Sequence, residues 1–148
     1  MDNIAGGIVH LAARDTSFAV VSLAPLAKIE AFKKRMEWAF PWVSSYDSDF
    51  NRDYGVSIDA ANDSSEYNYT SAAALLKARK IWIPKGELPG LSVFVAEGDT
   101  LFHTYSTFQR GLDPLLNTYN YLDLTPLGRH EEDAPFQSWV RHHDKYPR

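Results

Sequence analysis

FAVVSLAPLAKIEAFKKRMEWAFPWVSSYDSDFNRDYG, from Phe18 to Gly55, reads as strand, proline, helix, aromatic turn and short helix. Phe18 to Ala24 is a β-rich apolar run. It lacks strict alternation, which predicts a strand buried on both faces. Pro25 suits the first turn of a helix, where its missing N–H costs no hydrogen bond. Leu26, Ile29, Phe32 or Lys33, and Met36 then continue the helix. Phe40-Pro-Trp-Val-Ser-Ser reads as a loop entering a short extended piece. Asp47 or Ser48 caps a brief helix that Gly55 stops in the left-handed region.

Working outward, Ile4, Ile8 and Leu11 fall at i, i+4 and i+7 and predict a helix over residues 3–14. Gly6 and Gly7 weaken it by roughly 1 kcal/mol each relative to alanine. Residues 57–70 are polar and turn-rich. Ser71 caps a helix through AAALLKARK, and Ile81-Trp-Ile is a short apolar piece stopped by Pro84. Leu91–Ala96, the turn Glu97-Gly-Asp and Leu101–Ser106 form a β-hairpin. Asp113-Pro114 opens a further helix, with Leu112, Leu115, Leu116 and Tyr119 on one face. From Thr125 the chain is Pro-rich, charged and then aromatic, an irregular tail over about 125–148. No internal repeat or linker marks a second domain, so residues 1–148 are expected to form a single one.

Composition narrows the function. The chain has 148 residues, 45% hydrophobic and 23% charged, enough for one domain with a core. A net charge of −4 repels phosphate backbones and argues against nucleic acid. No apolar run approaches the roughly 20 residues needed to cross a bilayer, and the first residues lack a signal peptide's basic and apolar regions. A cytoplasmic protein without membrane partners is therefore expected. There is no cysteine, which excludes disulfides, thiolate zinc sites and thiol–disulfide exchange on this chain.

VSLAPLAKIEAFKKRMEWAFPWVSSYDSDFN and ELPGLSVFVAEGDTLFHTYSTFQRGLDPLLNTYNYLDLTPLGR resemble one bacterial family. It is a thioredoxin-like family of unknown function, sometimes labelled predicted dithiol-disulfide oxidoreductase. The resemblance covers most of residues 3–146; about 60–87 fits less well and reads as divergent or inserted. It implies an α/β fold, a thioredoxin-like sheet flanked by helices, incomplete at the N-terminus. The family's first strand and cysteine loop would precede the helix at Asn3–Arg14, so no residue carries over as a catalytic thiol. The missing strand would lie between Phe18–Ala24 and Leu91–Ala96. Those two strands would then close up, or a second copy would cover the gap; the homodimer is the favoured remedy. Pro89-Gly90 sits about where thioredoxins place a cis-proline.

The candidate surface is Trp38, Trp42, Pro89, His103 and Tyr105. Trp38, Phe40, Trp42 and Tyr46 read as a packed cluster or as an apolar patch for a partner or ligand. His103 reads as a hydrogen-bonded strand residue, since a general base would need a carboxylate the sequence does not locate. Tyr105, Tyr119 and Tyr121 could line a pocket or pack in a core. His130, His142, His143, Asp133 and Asp144 are conceivable metal ligands, but their spacing fits no standard pattern and a solvated tail is preferred. Glu131-Glu-Asp133 reads as a solvated acidic turn. No catalytic, cofactor or metal residue is assigned, and no cofactor is expected. The leading reading is a redox-inactive thioredoxin-like module acting through binding or assembly. Its rivals are an oxidoreductase or peroxide-handling enzyme whose cysteine lies upstream, and a small-molecule or metal-binding domain.

Overall fold

In the computed structural model, which describes residues 2–4, 6–132 and 137–147, Pro25 stands at the start of an eleven-residue helix. The element order is α1 (Ile8–Ala12), β1 (Val20–Ser22), α2 (Leu26–Met36), β2 (Trp42–Ser44), α3 (Phe50–Asp53), β3 (Ser57–Asp59), β4 (Glu66–Tyr67), β5 (Thr70–Ser71), α4 (Ala72–Lys77), β6 (Lys85–Glu87), β7 (Gly90–Glu97), β8 (Thr100–Phe108) and α5 (Asn117–Leu122), with 3-10 turns at Gln109–Leu115 and His143–Lys145. The fold is mixed α/β, and its strands form four two-stranded sheets. Among the described residues, no helix is long and apolar enough to cross a membrane. The chain divides into two compact units, residues 1–46 with 114–148, and residues 47–113.

In the first unit β1 and β2 run parallel, with Val20 opposite Trp42 and Ser22 opposite Ser44. Helix α2 connects them and buries Ile29 and Met36. Lys33, Lys34 and Arg35 crowd its last turn, where cations favour the helix dipole. Glu37 stops it in the left-handed region (φ 54°), its N–H bonded to carbonyls of the final turn.

Three expectations are corrected here. The strand read over Phe18–Ala24 is only Val20–Ser22, and its residues are half-buried rather than covered on both faces. Its ladder partner is itself three residues long, and an apolar run does not reveal how much of it finds cover. The helix read over 3–14 narrows to Ile8–Ala12. Asn3 lies outside it, and its side-chain oxygen accepts from the Thr118 N–H (3.2 Å) and hydroxyl (2.9 Å). The helix read from Asp113 begins at Asn117, because Pro114 falls inside a 3-10 turn.

The second unit has its core in Ile58, Tyr67, Ala72, Leu75, Ile81, Leu88 and Phe108. Four of those seven lie within residues 60–87. The turn-rich segment 57–70 holds three very short strands: β3 pairs antiparallel with β6, and β4 with β5. Asn68 and Tyr69 both take positive φ (51° and 59°) to close the β4–β5 turn. The Ser71 hydroxyl caps α4 by accepting from the Ala74 N–H at 3.4 Å. β7 and β8 form the long hairpin, turned at Gly98 (φ 58°) and Asp99. Between Val93 and Phe94 the register shifts: Val93 pairs with Tyr105 and Phe94 with His103, so Thr104 is the extra residue of a bulge.

Candidate functional site

Trp38 and Trp42 lie together in the first unit, ring centroids 5.8 Å apart. Phe32 packs on both, at 5.6 and 5.7 Å, and buried Phe40 lies 5.3 Å from Trp38. Both indole N–H groups are satisfied. Trp42 donates to the Ser22 hydroxyl (2.9 Å) and Trp38 to an Asp2 carboxylate oxygen (2.8 Å). The rings therefore cover one another, which suits packing better than ligand capture. Tyr46, grouped with them by sequence, is largely exposed.

The tail histidines meet separate partners. His142 packs edge-on to Phe32 at 5.2 Å, and its Nδ1 lies 2.9 Å from the Arg35 guanidinium. Arginine only donates, so this nitrogen is the acceptor. His143 Nδ1 faces Asp2 at 2.8 Å, and Asp144 faces Arg35 at 3.4 Å. Asp2 is partly desolvated, which pushes its carboxyl up. Hydrogen bonds from His143 and Trp38 outweigh this and hold it below the usual value of 3.8. No group of three metal-ligating side chains occurs among the described residues, and Asp133 lies outside them.

Glu131 is not part of a solvated acidic turn. Its Oε1 accepts from the Trp139 indole (2.7 Å), the Tyr119 hydroxyl (3.1 Å) and the Gln137 N–H (3.2 Å). Tyr119 is buried with the Arg129 guanidinium over its ring at 3.9 Å, whereas Tyr121 is exposed.

In the second unit the hairpin has two unlike faces. Paired residues share a face and successive residues alternate. Val93, Val95, Phe102 and Tyr105 lie on one side, and Ser92, Phe94, His103 and Ser106 on the other. His103 and Tyr105, read from sequence as one surface, thus point to opposite sides because of the bulge. Both are exposed, as is Pro89. The Pro89 carbonyl accepts from the buried Tyr67 hydroxyl at 2.6 Å, and every described peptide bond is trans.

His103 stacks on Phe94 (5.2 Å) and meets Tyr54 at right angles (5.5 Å). Its Nε2 lies 2.8 Å from the Ser106 hydroxyl, resembling a serine–histidine pair. The same nitrogen lies 3.1 Å from the Tyr105 carbonyl, which can only accept. Nε2 therefore carries the hydrogen and cannot take the serine's proton, so the pair is no activated nucleophile. His103 and Ser106 border a cavity of about 230 Å³ that Tyr54, Glu66, Tyr69 and Phe108 also line. Tyr54, Glu66 and Tyr69 were not singled out from sequence; the Asn68-Tyr69 turn, an unusual place for a bulky ring, was the available signal.

No curated protein and no solved structure matches this chain. A match is found to the model of the family described as "Bacterial protein of unknown function (DUF899)", which spans residues 1–146, and the chain belongs to that family.

Proposed function

We propose that this chain is a thioredoxin-like, redox-inactive module that works by assembling with a second copy of itself. The observation that carries the reading is the uncovered face of the β7–β8 hairpin. Val93, Val95, Phe102 and Tyr105 are 41%, 43%, 46% and 55% exposed there. One edge of β7 pairs with β8, and the other has no strand partner among the described residues. That edge is long and, from Gly90 to Ala96, carries no charge and no proline, the usual protections of a solitary edge. An antiparallel copy would satisfy its N–H and C=O groups without opposing like charges. The redox part rests on the sequence: exchange proceeds through a mixed disulfide, and the chain has no sulfur nucleophile for it.

The four side chains present on the order of 400 Å² per copy, about half of one partner's share in a standard interface. The dimer is therefore weak, in the micromolar range, and with −4 on each copy it tightens as salt is added. Analytical ultracentrifugation from about 1 to 100 μM tests this. The expected result is a shift from 16.7 kDa toward twice that mass, abolished by Val95→Asp with melting unchanged. A single 16.7 kDa species at every concentration would overturn the reading.

A further inference from the structure

We propose that the cavity on the opposite face of the hairpin is a binding site for a small organic cation of the quaternary ammonium type. The argument begins with its walls. Tyr54, Tyr69 and Phe108 line it, together with the His103 ring. The rings stand at right angles in two pairs, Tyr69 to Phe108 at 84° and Tyr54 to His103 at 88°. Perpendicular aromatic rings present both faces and edges along its walls, and the negative faces of such rings attract a cation that cannot hydrogen-bond.

Charge points the same way. Asp53 and Glu66 also border the cavity, and its lining contains no lysine or arginine. Among the described residues neither carboxylate takes part in an ion pair, in contrast to nearby Asp49, which holds Arg52 at 2.6 Å. The cavity thus combines uncompensated negative charge with aromatic walls. A volume of about 230 Å³ admits a trimethylammonium head and a short tail. A phosphate or carboxylate ligand would meet two carboxylates and no fixed cation.

The construction of the site supports a role beyond packing. Tyr69 is 84% exposed, although a large ring gains most by burial. It is held there by a turn whose two central residues are both left-handed. Asn68 next to it is tied down by donating to the Gln109 side-chain oxygen at 3.2 Å. An exposed ring on a fixed turn, lining the same cavity as a second ring pair, is pre-organised for a ligand.

The test is a nuclear magnetic resonance titration of the 148-residue chain with choline, beside dimethylbutanol, choline's uncharged carbon isostere. Choline should give saturable shifts in residues 53–55, 66–69 and 103–108, and the isostere should give none. Tyr69→Ala should weaken binding about two- to fivefold, the worth of one exposed cation–ring contact. Glu66→Gln should weaken it by about twofold or more, with the loss suppressed at high salt. Equal shifts from both compounds, no saturable shift from choline, or unchanged affinity in both variants would overturn the proposal. Tyr69 and Glu66 are exposed, so both variants are expected to keep the fold. Failure here leaves the assembly reading untouched, because that reading concerns the other face.

Discussion

Replacing Tyr67 by phenylalanine removes one oxygen from the core of the second unit. That oxygen donates to the Pro89 carbonyl at 2.6 Å and accepts from the Gln109 N–H at 3.2 Å. The ring stays packed against Phe108, 5.4 Å away, so no cavity opens. What is lost is the pairing of two backbone groups. Pro89 is exposed and its carbonyl can turn to water; the Gln109 N–H is the costlier orphan. A buried unpaired group costs about 1–3 kcal/mol, and Tyr67→Phe should destabilise the unit by about that much. For a chain of this length the midpoint of melting should fall by about 3–9 °C. Urea unfolding gives the free energy, and hydrogen exchange at the Gln109 amide reports the lost bond directly. A pH series adds a second readout. Burial raises the Tyr67 phenol above its usual 10.0, only partly offset by the Gln109 N–H. A raised value means the stabilisation is complete below pH 10 and fades as pH climbs through the folded-state value. Wild type should lose stability across that window and the variant should lose less. Exposed Tyr69→Phe serves as the control and should stay within about 0.5 kcal/mol of wild type. If Tyr67→Phe unfolds at the wild-type midpoint with unchanged Gln109 exchange, the hydroxyl does not hold this core together.

Two further outcomes follow from close contacts. Gly90→Ala should cost about 1–3 kcal/mol in urea unfolding, because a Cβ there would sit 2.7 Å from a Val56 methyl and 3.1 Å from the Phe108 ring; a neutral result would mean this packing relaxes freely. Asp2 holds its charge below the usual 3.8, so its grip on His143 and Trp38 is complete above that value and is lost as pH falls through the lowered one. Trp38 fluorescence should report that release, and Asp2→Asn should erase the transition; an identical acid profile in the variant would refute the link.

The features legible in the sequence are those decided by neighbours along the chain. Pro25 marked the start of α2, Ser71 the start of α4, and the turn Glu97-Gly-Asp between two β-rich runs the long hairpin. The features that stayed hidden depend on distant partners. Ser57 pairs with Glu87 thirty positions away, and strands of two or three residues carry too little periodicity to stand out. Glu131 looked like one of three solvated acids, yet donors from Tyr119, Gln137 and Trp139 converge on it. Charge patterning could not foresee that, because those donors reach it only once α5 and the tail have folded.

The bulge at Thr104 shows how one residue changes a functional reading. In a regular strand His103 and Tyr105, two apart, would share a face and form one mixed polar and aromatic surface. The extra residue sets Tyr105 opposite Val93 and His103 opposite Phe94, and so sorts the hairpin by chemistry. One face becomes mainly aliphatic and aromatic, with Val93, Val95, Phe102 and Tyr105, suited to another sheet face. The other sets His103 and Ser106 beside Tyr54, Tyr69 and the carboxylates of Asp53 and Glu66, suited to a small cation. Bulges often re-aim a side chain next to a site. Here the same irregularity creates both candidate surfaces, so Val95→Asp and Tyr69→Ala should separate them. If either variant abolished both assembly and cation binding, the two faces would be energetically coupled and the division by the bulge would fail as an explanation.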